Sequence, residues 1–423
     1  MELSQKSKIL IDYDSLFSPN AFLTNYFPIS GSNPEFVYNL INEKLVSDVS
    51  YNSGRILGAM STQPHPFAAE LYSKYLEKNL GDRGLNPGTA KIESQLIQMM
   101  ANLLGNTSNQ PIEGNMTSGG TESNLIAMYL AKSIHSEIKQ PNIVLSEAAH
   151  YSFKKIARLM NIELRYAPLD DNYRPKMDIY ATLIDENTIS LVGIAGTSSL
   201  GLVDPIDNIS SLAKKHRKFL HIDGAFGGFV LPFLEKLGHI YPTYDFRSPY
   251  ISSFSVDPHK MGMNVNPSGI ILVRNQKTEI ENGFQIPYLA GGGFKSFNIL
   301  GTRPGAPAIA FWGLIHLLGM DGFLKIMQQS WDLTKYLEDQ IQKIPHLQIA
   351  QSPQINVLGI QFTNKYDNPR NIFKLNQILR EHGWYLGYFE QWSLLRFVSM
   401  PHVTQSHIDA FLADLRGILN RRF

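Results

Sequence analysis

The chain of 423 residues contains no cysteine. That excludes a disulfide framework, thiolate zinc sites, iron–sulfur clusters and a cysteine nucleophile in one step. It also lacks an excess of either charge: 38 Lys and Arg stand against 37 Asp and Glu, a formal net charge of +1. Such balance argues against a broad nucleic-acid surface or an anionic-membrane surface, both of which need clustered positive charge. The first seventeen residues mix Glu, Lys and Asp with short apolar runs and contain no signal-peptide core. The most apolar later stretch, 308–320, reads as too short to span a bilayer and contains His316. There is no internal repeat, no low-complexity tract, no G-K-[ST] phosphate loop and no G-x-G-x-x-G fingerprint. The expectation is a soluble, cytoplasmic protein with no nucleic-acid or membrane partner.

What is present is an ordinary globular composition, 43% hydrophobic and 18% charged, in a chain longer than one typical domain. The opening residues read as an irregular arm with one helix at 35–49. From residue 89 the pattern alternates helices with short apolar strands. Helices are expected at 89–104, 125–133 and 205–218, the last with Asp204 as N-cap and Pro205 at the first helical position. Strands are expected at 142–145, 190–194, 219–222, 252–256 and 269–273. Alternation of this kind implies a mostly parallel sheet covered on both faces. Beyond residue 305 a long helix (322–343), strands at 357–362 and 394–398, and helices at 371–382 and from 404 suggest a smaller α+β unit. The expected division is an N-terminal arm (1–75), a large domain (76–305) and a small C-terminal domain (306–423).

In a parallel α/β sheet, ligands bind beyond the carboxyl ends of the strands. Four polar clusters occupy such places. TSGGTESN (117–124) puts Gly119 and Gly120 at a helix start, where backbone N–H groups and the helix dipole suit an anion or simply a helix cap. HIDGAFGG (221–228) ends an apolar strand in a carboxylate, Asp223, which either caps the next turn or holds a positive charge on a ligand. SVDPHKMG (255–262) places Lys260 directly after a buried strand, where a lysine is either a snorkelling surface residue or a partly desolvated amine suited to Schiff-base chemistry. GTRPG (301–305) is an interdomain turn or a further set of phosphate contacts.

An anion cradle, a strand-end Asp223 and a strand-end Lys260 together are what pyridoxal 5'-phosphate needs. Here the chain resembles the pyridoxal-phosphate-dependent group II amino-acid decarboxylases of aminotransferase fold type I, and within them the archaeal-type L-tyrosine/L-aspartate decarboxylases. The matching stretches are TSGGTESN, APLDD (167–171), VGIAGTSSLG (192–201), HIDGAFGGFVLP (221–232), DPHKMG (257–262), GTRPG and MPHVT (400–404). The resemblance runs from about residue 60 to the C-terminus. It implies an aspartate-aminotransferase-like α/β fold, and decarboxylation through an aldimine and a carbanion. By the same resemblance Lys260 is the Schiff-base lysine, Asp223 the partner of the pyridine nitrogen, His150 the residue stacked on the ring and Ala225 the residue beneath it. Gly119, Gly120 and Thr121 would hold the phosphate, His259 would be a phosphate or positioning contact, and Thr197 would reach the ring hydroxyl or edge. Thr302 resembles a residue that reaches the phosphate of a neighbouring subunit, which implies a homodimer with a shared active site. Tyr288, before the glycine run 291–293, is the expected proton donor on a mobile loop. Arg396 is the expected substrate-carboxylate ligand, its alternative being an ion pair between domains.

The substrate side chain is less legible. The family's entrance segment resembles residues 61–66, which include His65. Asn86 stands where relatives carry an aromatic residue, and so removes a stacking partner for an aromatic substrate. An acidic substrate would need a second guanidinium, for which Arg55, Arg83 and Arg303 are candidates. Gly224, Ser199 and the stretch 263–267 also depart from the family pattern. L-tyrosine and L-aspartate are the first candidates. The same scaffold also hosts carbon–carbon lyases resembling sphingosine-phosphate lyase and decarboxylating amine oxidases. A catalytically dead homologue is disfavoured by the intact set Lys260, Asp223, His150 and Thr121. No metal site is expected.

Overall fold

The computed structural model describes residues 27, 31–106, 111–274, 283–363 and 369–422. The chain divides into two units, Met1–Val49 and Ser50–Phe423. In the first, helix α1 (Pro34–Leu45) opens at Asn33, whose side chain accepts a hydrogen bond from Phe36 N. It ends four residues before the expected boundary, in a turn at Val46–Asp48.

The second unit is built on a seven-stranded sheet. Its strands are β1 (Ile112–Thr117), β2 (Asn142–Ser146), β3 (Glu163–Ala167), β4 (Thr188–Ile194), β5 (Phe219–Asp223), β6 (Ser253–Val256) and β7 (Gly269–Arg274). The order is β1-β7-β6-β5-β4-β2-β3; the five strands from β6 to β3 are parallel, and β7 runs antiparallel to both β6 and β1. Strands β2, β4, β5, β6 and β7 are buried along their whole length, as continuous apolar runs between two helical layers require. Neither β1 nor β3 was expected. They are the two sheet edges, and the mixed sequences IEGNMT and ELRYA reflect their partial exposure.

Around this sheet lie α2 (Pro66–Lys74), α3 (Pro87–Leu103), α4 (Gly120–Ile134), α5 (Ser152–Met160), α6 (Met177–Thr182), α7 (Ile206–His216) and α8 (Leu231–Lys236). Helix α7 starts one residue later than expected, and Asp204 is not its cap. Its Oδ2 instead accepts from Ile194 N at 3.0 Å, tying the loop back onto β4.

Pairing between β2 and β4 stops at Val144↔Leu191, although both strands continue. The fully buried Tyr180 of α6 occupies the gap. Its hydroxyl lies 2.9 Å from Val144 O and 3.0 Å from Val192 O, and Val192 N donates to it at 3.1 Å. The phenol thus stands in for a ladder bond, and beyond it β2 and β4 are no longer paired.

After the hairpin β8 (Phe284–Ile286) and β9 (Phe294–Ser296) comes one long helical stretch, Ala306–Gln342, interrupted at Gly319 (φ 57°, ψ −172°). The 308–320 run, set aside as too short to span a bilayer, is therefore part of a helix that is long and apolar enough to do so by length and composition. Phe311, Leu314, Phe323, Met327, Leu337 and Ile341 on it are buried with the core. A four-stranded antiparallel sheet follows, β10 (Leu347–Ile349), β11 (Val357–Phe362), β12 (Gly387–Phe389) and β13 (Leu394–Val398), in the order β10-β11-β13-β12. The remaining helices are Pro369–Glu381 and Gln405–Arg422.

Candidate active site

The carboxyl ends of β2, β4, β5 and β6, with the start of α4, enclose a cleft of about 300 Å³. Lys260, Asp223, His150, His259, Ala225, Gly119, Gly120 and Thr121 all line it, so eight of the sequence-nominated residues converge on one cavity. Each arrives by a local rule. Asp223 is the last residue of β5, and Lys260 follows the turn after β6. His150 sits between β2 and α5, and the two glycines open α4.

Helix α4 has no side-chain cap at Gly119, which leaves its first N–H groups facing the cleft. A Cβ on Gly120 would lie 2.8 Å from Ala225 Cβ and 3.0 Å from Asp257 Oδ2, so only glycine admits the turn. Lys260 Nζ is 3.1 Å from Asp257 Oδ2, and His259 Nε2 is 3.8 Å from the same oxygen. Asp257 Oδ1 is buried with no partner among the described residues. His259 Nδ1 faces the backbone of Ser268.

Asp223 accepts from Ala225 N (3.1 Å) at Oδ1 and from Asn124 Nδ2 (2.9 Å) at Oδ2. Burial alone would push this carboxyl up. The neighbouring imidazoles of His150 and His221, Lys260 and the Ala225 N–H outweigh it, holding the group below the ordinary carboxylate range. His150 accepts from Ser152 N at Nδ1, and desolvation by the cleft walls lowers its pKa against the pull of Asp223.

The cleft shares Met60, Ala148, His150, Ser198 and Lys260 with an adjoining chamber of about 830 Å³, which Arg396 also lines. Tyr151, Tyr166, Phe389 and Trp392 supply aromatic wall, and Lys154 a second cation. Arg396 on β13 lies between Gly359 of β11 and Gly387 of β12, and a Cβ on Gly387 would come within 2.9 Å of its Nε. Its guanidinium donates to Ser198 O at 2.6 Å and to Gly58 O, while Nε is buried without a partner among the described residues. Burial brings its pKa down to about 10, so it is charged at neutral pH. Among the described residues it has no carboxylate partner, and the interdomain ion pair is therefore absent there.

The other nominated residues lie elsewhere in this chain. Thr197 is turned into its loop, where its Oγ1 accepts from Leu202 N; the neighbouring Ser198 faces the cleft instead. His65 caps α2 by accepting from Phe67 N. Asn86 Nδ2 donates to Asp82 O within its own loop. Thr302 is exposed at the surface. Tyr288 is 83% exposed beyond β8. The glycine run after it is not slack: a Cβ on Gly84 would lie 1.9 Å from Gly291 O, and Gly291 N donates to Asp82 Oδ2. Gly291 serves close backbone approach, whereas Gly292 has open space around it and a φ of 101°. Arg55 is paired with Asp414, Arg83 with Glu93, and Arg303 with Glu93, so none of the three faces the chamber. Sequence reasoning passed over Asn124, Ser198 and Asp257, although all three stand inside the quoted motifs.

The sequence profile described as the pyridoxal-dependent decarboxylase conserved domain matches residues 27–365. The chain belongs to this family. The decarboxylase is 40% identical over 394 residues to an L-aspartate/L-glutamate decarboxylase of Pyrococcus horikoshii, covering 93% of this chain and 100% of that one. It is 38% identical to a probable L-tyrosine/L-aspartate decarboxylase of Methanosphaera stadtmanae, covering 92% and 98% of the two chains. Among solved structures, the Burkholderia pseudomallei sphingosine-1-phosphate lyase superposes with a TM-score of 0.86 at 26% identity, covering 96% of this chain and 95% of that one. The decarboxylase thus has the fold type I architecture and acts on amino acids with pyridoxal phosphate as cofactor. The residues present fit that cofactor. An uncapped glycine-bearing helix start offers N–H donors to an anion, and buried Asp223, cleft-facing Lys260 and Asp257, one oxygen of which has no partner among the described residues, stand around the same cavity.

Proposed function

We propose that the protein releases CO₂ from L-aspartate, at a site in which Lys260 Nζ holds the aldehyde carbon of pyridoxal phosphate and Asp223 supports a proton on the ring nitrogen. The observation that carries this reading is the adjacency of two spaces. The cleft with Lys260, Asp223 and His150 adjoins the chamber lined by Arg396, a charged side chain with no carboxylate partner among the described residues. Pyridoxal phosphate, when bound, supplies an electron-withdrawing ring that accepts the electron pair left as the carboxylate departs. The start of α4, with Gly119, Gly120, Thr121 and His259, takes the phosphate; His150 and Ala225 bound the ring on its two sides. Arg396 takes a substrate carboxylate by charge-assisted hydrogen bonds, and Lys154 is the second cation available to a dicarboxylate. Both relatives named above have aspartate in their names.

Tyr288, exposed in its own chain, acts on this reading in the partner's site. A homodimer forms in which Tyr288 of the partner subunit delivers a proton to the substrate α-carbon, and Thr302 of the partner subunit contacts the phosphate. A soluble enzyme is supported by the break at Gly319, which interrupts the long apolar helix Ala306–Gln342, and by the core residues on that helix; the cytoplasm is the compartment proposed for it. L-tyrosine is the second reading, favoured by the aromatic chamber wall of Tyr151, Tyr166, Phe389 and Trp392.

The test is CO₂ release from a panel of amino acids with purified protein and added cofactor. β-Alanine from L-aspartate is the expected product. Tyramine as the main product would replace the first reading by the second, and cofactor binding without CO₂ from any amino acid would overturn both.

A further inference from the structure

His221 and Asp223 are alternate residues of β5 and therefore project from the same face of the sheet. Asn124, on the second turn of α4, spans them. Its Nδ2 lies 2.9 Å from Asp223 Oδ2 and 3.1 Å from Ser152 Oγ, and its Oδ1 lies 2.9 Å from His221 Nε2. His221 Nδ1 in turn is 2.8 Å from Ser253 Oγ. Asn124, Ser152, His221 and Ser253 are each at most 1% exposed, so no water competes for these bonds.

With a neutral His221 ring, the hydrogen bonds of this chain of groups have one arrangement. Ionised Asp223 only accepts, so the amide nitrogen faces it and the amide oxygen faces His221. His221 must then carry its hydrogen on Nε2. Burial pushes its pKa down to about 4, so the ring is neutral and Nδ1 is bare, ready to accept from the Ser253 hydroxyl. A flipped amide would set oxygen against carboxylate and nitrogen against N–H, losing two buried hydrogen bonds at once.

We infer that Asn124, locked by the neutral His221–Ser253 pair, is the positioning residue for Asp223, fixing the orientation and ionised state of the carboxylate that faces the cofactor ring. The inference rests on the role given to Asp223 above. It explains why a helix that presents its start to the cleft also carries a polar side chain one turn further in. That side chain reaches past the anion site to the strand-end carboxylate. The other charged groups facing Asp223 are His150, Lys260 and, from behind, Asp204.

The experiment uses Asn124→Asp holoenzyme beside wild type and Asp223→Asn. Asn124→Asp keeps the shape and replaces the donor with a second acid, so two carboxyls must share one proton. The expected result is a pH titration of the visible cofactor band displaced by about one unit or more, with cofactor dissociation weakened about tenfold. A merely structural role would lower the melting temperature and leave the titration midpoint in place, and that outcome overturns the inference. Asp223→Asn separates the two claims. If it too leaves band and affinity unchanged, the role of Asp223 is wrong; if it alone shifts them, only the role of Asn124 fails. Should Asn124→Asp not fold, ring ¹⁵N spectra of wild-type protein decide, with His221 assigned by its loss in His221→Gln. An Nε2–H tautomer that does not titrate between about pH 8 and 5 supports the relay, and an Nδ1–H tautomer or an ordinary titration near 6.5 overturns it.

Discussion

Lys260 Nζ and Asp257 Oδ2 stand 3.1 Å apart across one turn of chain, and the second oxygen of Asp257 is buried with no hydrogen bond among the described residues. Lys260 therefore does two things, offering its amine to the cleft and neutralising a buried carboxylate. Lys260→Ala should abolish the visible absorption of bound cofactor together with CO₂ release. It should also destabilise the cofactor-free protein by about 2 kcal/mol. That is less than the roughly 3–5 kcal/mol of a fully buried pair, because Lys260 is partly open to water. Absorbance, product assay and urea unfolding measure the three effects, and retained turnover would remove Lys260 from the mechanism.

Arg396 is held by backbone carbonyls of Ser198 and Gly58 and flanked by glycines on both neighbouring strands, a mould cut for a planar guanidinium. Arg396→Lys keeps the charge but loses the fork. It should raise KM for the substrate by about 10- to 100-fold, the worth of one or two charge-assisted hydrogen bonds, with a smaller effect on kcat. Steady-state kinetics check this. An unchanged KM would mean that the substrate carboxylate binds elsewhere.

Asp204 is almost fully buried, and burial lifts its pKa to about 7 against the Ile194 N–H and the charge of Arg174, with Asp223 adding to the rise. In the unfolded chain the carboxyl ionises near 3.9. Between about pH 4 and 7 the folded state therefore holds a proton that the unfolded state has lost. Stability contributed by this group is full below that window and falls as pH rises through it, by about 4 kcal/mol in total. Asp204→Asn preserves an acceptor for Ile194 N and removes the charge. Urea midpoints should rise in the variant at pH 8 and differ little at pH 4.5. Equal midpoint changes at both pH values would show that Asp204 does not titrate in this window.

If Tyr288 acts across a dimer, inactive Lys260→Ala and Tyr288→Phe subunits should complement one another. Randomly mixed chains would regain about a quarter of wild-type activity, since half the dimers are mixed and one of their two sites is intact. Complementation above the sum of the separate variants is the readout. Its absence, with mixed dimers shown to form, would confine Tyr288 to a packing role.

Most strands of the main sheet were legible because a strand buried on both faces must be a continuous apolar run. Both missed strands, β1 and β3, lie at sheet edges, where half-polar sequences carry no such signal. The helix before Gly322 went unread because the apolar run from Ala308 was judged as a membrane candidate rather than as a packing face. Asp204 illustrates a further limit. Asp before Pro reads as a helix cap, yet its carboxylate bonds back to β4, since a side chain near a strand end chooses between two partners by tertiary geometry alone.

The sequence alone was enough to nominate the residues of the candidate site. Lys260, Asp223, His150 and the Gly119-Gly120 turn are fixed by strand ends and a helix start, which local patterning reveals, and the motifs around them identify the family. Only the tertiary structure decided which polar neighbours serve that chemistry. Ser198 rather than Thr197 faces the cleft, Arg396 rather than Arg55, Arg83 or Arg303 is left without a carboxylate partner, and Asn124 joins His221 to Asp223. The pairings of Arg303 with Glu93 and of Asn124 with His221 and Asp223 join residues about a hundred positions or more apart in the chain, and the hydrogen-bond partner of a buried polar group is set by what packing brings within 3 Å of it, a quantity no local pattern encodes.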